Sequence, residues 1–339
     1  MKTQPKLIVF DVGHGSCVFL QDESVTTIID CKESALLIDF LLSQNITVIS
    51  QVIISHADAD HIDGILALIQ SDYIQLGTVF VNADASKDSA TWKDLRLALQ
   101  DASGRGKLRV RTEIGDGMAD QLRYQTVRIE VVAPGIASRL AGPGGRTPQE
   151  ARATSNAMSV VLRLHHEDHP VILIPGDIDS VGLEDLVARG KQLRCDILLF
   201  PHHGGHISHG NDAARERNNS RFARRIMEQV DPRLVLFSIG RGRFSTPRPE
   251  IIREIRTRAA DCRICCTQLS EHCQKVILDH PVLHLTDLPA LGRIGKRCCG
   301  GSLEIIFAGR NTFAQLDHIR HLEFVKNSVS RPLCKESIT

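Results

Sequence analysis

The sequence is poor in aromatic residues, nearly neutral, and without a long apolar run. Phe, Trp and Tyr make up 4% of the 339 residues, so Leu, Ile and Val must fill the core. The formal net charge of +1 excludes a global field that attracts nucleic acid or membrane. No apolar run approaches the roughly 18 residues needed to span a bilayer, and the first ten residues lack a signal-peptide layout. We therefore expect a soluble, cytoplasmic protein with no membrane partner.

With 42% hydrophobic residues over its length, the chain can bury a sizeable core in one large or two smaller domains. A cytoplasmic location would keep its ten cysteines mostly reduced, so a cysteine cluster points to a metal before disulfides. One such cluster opens with Cys-x2-Cys spacing and closes with a Cys-Cys pair. It suits one structural Zn²⁺ ion, although reduced thiols packing a small subdomain would give the same pattern. The cluster contains Cys262, Cys265, Cys266, Cys273, Cys298 and Cys299.

A dense group of acids and imidazoles stands between two apolar runs, at 52–54 and 65–69. This pattern predicts a buried strand, a tight loop and a helix. Side chains of this kind repel and desolvate one another unless a cation offsets their charge. A polar turn in which Asp60 caps the helix is the alternative, but the whole pattern favours a metal. The candidate ligands are His56, Asp58, Asp60 and His61.

The spacing His-x-Asp-x-Asp-His after a buried strand resembles the metallo-β-lactamase superfamily, whose signature is His-x-His-x-Asp-His. The Asp at the second position is similar to one branch of that superfamily. This branch is the soluble hydrolase domain of competence proteins related to DNA uptake, together with its free-standing relatives.

The beginning of the chain is also similar to the competence-type hydrolases, which open with Asp-Val-Gly-x-Gly-Asp. Asp11 and the strand-closing Asp30 match positions of that pattern, whereas Ser16 stands where the family usually has an acid. The resemblance implies that Asp11 and Asp30 orient metal ligands from behind.

Three later strand ends continue the resemblance. Asn156 stands where other superfamily members have a metal-binding His, and Asp177, in a Gly-Asp motif, matches the carboxylate that bridges two metals. One of His202 and His203 should complete the second metal site, while the other acts as an acid or a substrate ligand. We predict catalytic roles for Asp60, His203 and Asn156.

The implied ligand sets are unequal. The second metal site would have Asp60, His61, Asp177 and one of the adjacent histidines, whereas the first would have only His56, Asp58 and Asp177. This oxygen-rich pair favours two divalent ions, Mn²⁺ or Zn²⁺, with Mg²⁺ as a further option.

A basic loop follows a later predicted strand. Relatives often carry Gly-His-Pro here, but this chain has Thr246-Pro247, which leaves a usual acid/base group missing. Arg241 and Arg243 could bind a phosphate, because planar guanidinium groups suit that anion. A purely structural loop is the equal alternative.

Many strands interspersed with helices predict an α/β (α+β) protein, and the resemblance implies the metallo-β-lactamase αββα four-layer sandwich. We expect the hydrolase core over 1–258, a Cys-rich segment with a final strand over 259–310, and a loosely packed C-terminal tail over 311–339.

Two metal ions can ionise a shared water and hold both oxygens of an in-line displacement, which suits phosphodiesters. We therefore predict a metal-dependent phosphodiesterase or nuclease with DNA as its substrate. A small cyclic-nucleotide phosphodiesterase and a catalytically weakened, metal-binding regulatory subunit are the alternatives. The resemblance also implies a possible protein partner, because similar free-standing hydrolases occur beside NTPase sensors in bacterial antiphage modules.

Overall fold

The computed structural model contains two stacked β-sheets with helices on both outer faces. It describes residues 4–335 apart from 83, 85, 119–121, 123, 243, 278–282, 308–312 and 316. Over these residues the strands are β1 (Lys6–Val9), β2 (Cys17–Asp22), β3 (Val25–Cys31), β4 (Val48–Ile54), β5 (Gln75–Val81), β6 (Arg109–Arg111), β7 (Val127–Ala133), β8 (Val161–His166), β9 (His169–Ile174), β10 (Ile197–Leu199), β11 (Leu234–Phe237), β12 (Arg263–Cys266), β13 (Leu303–Ile306) and β14 (Phe313–Gln315).

The helices connect these strands and cover the sheets. Two short 3₁₀ turns, Pro201–Gly204 and Leu291–Arg293, accompany them. The α-helices of the described chain are α1 (Ser34–Ser43), α2 (Ala59–Gln70), α3 (Ala90–Gly104), α4 (Ile136–Ala141), α5 (Ser180–Ala188), α6 (Asp212–Val230), α7 (Pro249–Arg258) and α8 (His318–Ser328).

The first sheet has the strand order β14-β13-β1-β2-β3-β4-β5-β6, and the second has the order β12-β11-β10-β9-β8-β7. Each sheet is part antiparallel and part parallel. In the first, β1 to β3 pair antiparallel and β3 to β6 parallel. In the second, β7 to β9 pair antiparallel and β9 to β12 parallel.

Three apolar layers hold the sheets and helices together. Strand β1 shows why, since Leu7 and Val9 face the layer between the sheets while Ile8 and Phe10 face the helices α1 to α3. Side chains alternate along a strand, so a strand buried on both faces is apolar at every position. A third layer joins the second sheet to α5, α6 and α7. The predicted αββα sandwich, with two stacked sheets between outer helices, is confirmed.

The predicted boundaries in the C-terminal third differ from the structure. The 259–310 segment is not separate, because β12 extends the second sheet beside β11 and β13 pairs with β1 of the first. The expected loose tail contains β14 and α8 instead. Helix α8 buries Phe324 and Val325, whose apolar contribution is diluted in the sequence by the polar residues around them.

The connections that follow the parallel strands lie at one edge of the sandwich. The segment after β4 carries His56 to His61, the segment after β9 carries Asp177, and the turn after β10 carries His202 and His203. Carboxyl ends of parallel strands gather at one edge of a sheet, so the topology brings distant parts of the chain together there. Among the described residues, no helix is both long and apolar enough to cross a bilayer.

Candidate metal centre

The loop between β4 and α2 presents its acids toward the edge of the sheets. Asp58 is the residue at the N-cap of α2, but its side chain makes no capping hydrogen bond, and Asp60 lies in the first turn. The alternative in which Asp60 merely caps the helix is therefore wrong. Both carboxylates are left for other partners.

Four side chains from three segments meet beside this loop. One ligand atom from each lies within 4.8 Å of the others. His61 Nε2 is 3.5 Å from Asp177 Oδ1, and His203 Nε2 is 3.5 Å from Asp60 Oδ2. The group consists of Asp60, His61, Asp177 and His203.

The imidazole nitrogens at this edge fit a metal ion. The Nε2 atoms of His56, His61, His202 and His203 are buried and have no hydrogen-bond partner among the described residues. A buried polar atom without a partner costs free energy, which a coordinated cation would offset. Two imidazoles and two carboxylates form a donor set that suits Zn²⁺ or Mn²⁺. The residues therefore fit a divalent metal ion.

Two of the imidazoles are fixed by hydrogen bonds from behind. His61 Nδ1 donates to Asp30 Oδ2 at 2.7 Å, and Asp30 also accepts from the Ser55 amide and hydroxyl. His203 Nδ1 donates to the Ser238 carbonyl at 2.8 Å. A proton held on Nδ1 leaves the Nε2 lone pair directed into the site, which is the arrangement that metal-binding histidines use.

Asp11 hydrogen-bonds backbone amides near the site and does not contact a candidate metal ligand. Its carboxylate accepts from the amides of Gly13 and Gly292 and from Gln268 Nε2. These bonds tie the glycine-rich turn to the C-terminal segment, and the amide of Ser16 at the end of that turn donates to the Asp60 carbonyl. Asp11 was expected to hydrogen-bond a metal ligand directly. Instead it anchors the glycine-rich turn, and that turn binds the backbone of Asp60.

The sequence interpretation overlooked His14, which lies in the same turn. Its Nε2 is 3.4 Å from Asp60 Oδ2. The centroid of its ring is 4.5 Å from the ring centroid of His203 and 4.0 Å from that of Phe244. The sequence signal is a histidine between two glycines in the turn that follows β1. This is the variable position of the quoted family motif, so the motif assigns it no role.

At the position expected for the first metal, one of the predicted ligands is already paired with a lysine. Lys87 Nζ forms an ion pair with Asp58, so an ammonium group stands at one of its expected ligands. His56 Nε2 is 3.8 Å from Asp58 Oδ2. Asn156 lines a cavity together with Asp58 and Lys87.

Lys87 is held by a loop that the sequence gave no reason to single out. Asp84 accepts from the amides of Ser86 and Lys87. The other Asp84 oxygen accepts from Ser155 Oγ, next to Asn156. Asp84 is buried. Its hydrogen bonds therefore fix the backbone of Lys87 relative to the segment that contains Ser155 and Asn156.

His202 and His203, between which the sequence left the choice of ligand open, have different surroundings. His203 joins the four-ligand group. His202 lines the cavity instead, with its amide donating to Asp177 Oδ1 at 3.0 Å and its Nδ1 lying 3.6 Å from Asp177 Oδ2. Both residues have left-handed φ angles near 50°, at 52° and 53°, so the two neighbouring rings leave the turn in different directions.

The pKa shifts reflect carboxylates and imidazoles that are packed together at this site. Burial, with His61 as the next cause, lowers the pKa of His56 to about 4. Burial also opposes ionisation of His61, but the carboxylates of Asp177 and Asp30 outweigh it and raise the His61 pKa well above its usual value. Burial likewise disfavours ionised Asp177, yet the surrounding imidazoles hold the pKa of that carboxyl well below its ordinary value. A divalent cation would offset this charge.

A cavity of about 1030 Å³ adjoins the metal ligands. Asp58, Asn156 and His202 line it, together with residues of helix α6. Positively charged or imidazole side chains from several segments also line it: Lys87, His206, His209, Arg215, Arg221 and Arg225. Two of these cations are paired with acids of the same lining, Lys87 with Asp58 and Arg225 with Glu184. The cavity can accept an anionic molecule directly beside the candidate metal ligands.

The arginines proposed from sequence to bind phosphate have another setting. The Arg241 guanidinium donates to the carbonyls of Leu269 and Lys275 at 2.9 and 2.7 Å. These bonds make Arg241 an anchor for the 269–275 segment and leave its phosphate role without support. Arg243 lies outside the described residues.

Asp30→Ala is expected to weaken binding of the metal by about tenfold, because His61 loses the partner that fixes its proton and orientation. Asp22→Ala is the matched control. Asp22 is also a buried carboxylate with three hydrogen bonds, from the amide and hydroxyl of Thr126 and the amide of Val127. Metal titration followed by calorimetry should separate the variants, and equal metal affinities would contradict the role given to Asp30.

No protein-family model matches the sequence, and no curated protein matches it. Solved structures do match. The metallo-β-lactamase fold protein YhfI from Bacillus subtilis is 14% identical, with 79% of this chain and 98% of that chain covered and a TM-score of 0.47. The metal-dependent hydrolase of the β-lactamase superfamily Tm1679 is 14% identical, with coverages of 78% and 96% and a TM-score of 0.45. Zn²⁺-bound PqqB from Methylobacterium extorquens is 11% identical, with coverages of 77% and 97% and a TM-score of 0.43.

Proposed function

We propose that this protein is a metal-dependent hydrolase that cleaves phosphodiesters. One observation carries the proposal: the four-ligand group of Asp60, His61, Asp177 and His203 lies beside a large cavity whose lining includes arginine and histidine side chains. Metal ligands supply the hydrolytic centre, and the basic lining suits a substrate whose scissile group is anionic.

The metal ligands prepare the site before substrate arrives. Asp60, His61, Asp177 and His203 would hold a divalent ion, which supplies an ionised water near neutral pH and neutralises phosphate charge. Asp30 and the Ser238 carbonyl keep the two imidazoles in the right tautomer. The two-ion arrangement predicted from sequence remains a proposal, with His56, Asp58 and the second oxygen of Asp177 as the residues available to another ion.

His202 is the residue we assign to proton transfer. Its Nε2 is buried and has no hydrogen-bond partner among the described residues, and the residue lines the cavity. Its Nδ1 lies 3.6 Å from Asp177 Oδ2, which orients the ring. His202 can therefore give a proton to the leaving oxygen of the substrate. This assignment replaces the sequence-based choice of His203, which stands among the metal ligands.

DNA is the substrate we propose first, in line with the competence-type resemblance. Helix α6 supports it, because Arg217 and Arg224 are exposed on the same helix as the three arginines that line the cavity. The size of the cavity favours a second candidate, a cyclic nucleotide or other small phosphodiester, since about 1030 Å³ is close to the usual range for small-ligand pockets. Association with an NTPase sensor in an antiphage module is a further proposal from the resemblance.

A panel of substrates tests the proposal. The purified full chain is incubated with Mn²⁺, Mg²⁺ or Zn²⁺ and with plasmid, single-stranded DNA or cyclic dinucleotides, beside the Asp60→Ala variant. Turnover that requires the metal and disappears in the variant supports the enzyme. Metal binding without turnover of any phosphodiester would favour the regulatory-subunit alternative and would overturn the proposal.

Arg221→Gln is expected to raise KM about fivefold with little change in kcat, because it removes a charge that attracts substrate but not one that acts on the reacting atoms. Arg217→Gln is the matched control, since Arg217 is exposed on the same helix but does not line the cavity. Steady-state kinetics on the best substrate of the panel gives both values. Equal KM values for the two variants would show that the cavity is not the substrate site.

A further inference from the structure

Four cysteines from four separate segments line one small buried cavity. Its volume is about 20 Å³, which is enough for a single water or ion. Cys266 ends β12, Cys273 lies in the following turn, Cys299 precedes β13, and Cys334 comes from the segment after α8. We propose that Cys266, Cys273, Cys299 and Cys334 form a structural zinc site that is separate from the hydrolytic centre.

The neighbouring cysteines point elsewhere, which explains why the ligand set differs from the one expected from sequence. Side chains alternate along β12, so Cys265 faces the layer between the sheets while Cys266 faces α8 and the C-terminal segment. The Cys298 thiol donates to Asp11 Oδ2. Cys262 packs in the layer beneath α6 and α7. Cysteine spacing in the sequence could not sort these faces, and Cys334 was too distant to be considered.

The surroundings suit a zinc ion held by thiolates. The amide of Leu333 donates to Cys273 Sγ at 3.4 Å, as amides around metal-bound sulfur do. Two guanidinium groups stand close by, because Arg241 binds carbonyls on both sides of Cys273 and Arg256 binds the Cys334 carbonyl. Binding Zn²⁺ to four thiols releases four protons and leaves a net charge of −2 on the site, which these two cations would partly offset.

The sulfur atoms surround the cavity and do not fill it. Among the described residues, no three thiols come within 4.8 Å of one another. A zinc ion with Zn–S bonds of about 2.3 Å would therefore require the thiols to move inward. The turn around Cys273 and the segment around Cys334 lie outside helices and strands, so this movement would break no helix or strand, and the bonds from Arg241 and Arg256 would adjust with it. The ion would then fasten the α8 region to the end of the second sheet.

Cobalt substitution tests the site without relying on activity. Thiolate-bound Co²⁺ has strong sulfur-to-metal charge-transfer absorption, which the nitrogen and oxygen ligands of the hydrolytic centre cannot give. We expect this band, together with a thiolate-bound zinc by elemental analysis, in the wild-type chain and in Cys262→Ser. Cys299→Ser and Cys273→Ser should lose it. The matched control is suitable because Cys262 is a buried thiol that does not line the cavity.

A second measurement covers variants that fail to fold. Titrating the folded wild-type chain with a mercurial reagent should release one zinc ion as the protecting thiols react, and a colorimetric chelator detects it. The site is disproved if wild-type protein refolded with zinc or cobalt shows no thiolate band and releases no zinc to the mercurial. An equal loss of the band in Cys262→Ser would also overturn the assignment. Both readouts are independent of the proposed hydrolytic function.

Discussion

Asp177→Asn is expected to lower phosphodiester turnover by about 10³-fold. The substitution removes the negative charge of a carboxylate that would bind the metal ion. Asp177 is buried, contacts His61, His202 and His203, and belongs to the four-ligand group. Asparagine has nearly the same shape but no charge, and one of its two terminal atoms is a nitrogen that cannot bind a cation. Metal content should therefore fall together with turnover.

The control for this variant is Asp185→Asn. Asp185 is also buried and charged, and its carboxylate pairs with Arg189 in helix α5, so its loss costs stability without removing a metal ligand. Elemental analysis and turnover are measured on both variants, with circular dichroism to confirm folding. Full metal content and near-normal turnover in Asp177→Asn would remove the basis of the proposed centre.

The meeting of Asp177 with the 56–61 loop could be predicted because two simple regularities act together. Each motif follows an apolar run that must be a buried strand, and parallel strands bring their carboxyl ends to one edge. The sandwich was implied by the family resemblance, whereas the apolar runs predicted only strands interspersed with helices. The structure agrees with both, since strands such as β1 are apolar on both faces.

Other features depend on directions that a sequence does not show. His202 and His203 are identical neighbours, and only the left-handed backbone of their turn decides which ring reaches the metal ligands. The cysteine spacing did not reveal that Cys265 and Cys266 lie on opposite faces of one strand. Helix α8 was missed because a few buried side chains, such as Phe324, stand among many polar ones. Each of these is set by tertiary packing.

The position of the Lys87 side chain also could not be predicted from the sequence. It has the largest consequence for how many metal ions the site binds. A lysine in a polar loop is usually solvated, and nothing local indicates that its ammonium would reach Asp58. Yet the Asp84 network anchors the loop, and the ion pair places a positive charge at an expected ligand of the first metal. A divalent ion binding there must displace this ammonium. The two metal positions should therefore fill at different metal concentrations.

Lys87→Met is accordingly expected to strengthen binding at the first metal position by about 100-fold. Two unit charges about 4 Å apart interact by roughly 4 kcal/mol at an effective dielectric of 20, and partial exposure reduces this to about 3 kcal/mol. Electron paramagnetic resonance of a Mn²⁺ titration reports the change, since a coupled ion pair differs from a single ion. Spectra of the variant should show the pair at much lower metal concentration than those of the wild-type chain.

Lys93→Met controls for the loss of a lysine nearby. Lys93 lies in α3 and pairs with the exposed Asp88, so its removal leaves Asp58 unchanged. The wild-type chain and this control should bind the first Mn²⁺ tightly and the second weakly. Equal affinity for both ions in the wild-type chain, or weaker binding in Lys87→Met, would mean that the ammonium does not compete for Asp58. In the expected case, Asp58 stays paired with the Lys87 ammonium at low metal concentration. Occupancy of the two-ion centre is then limited by the metal ion that must displace this ammonium.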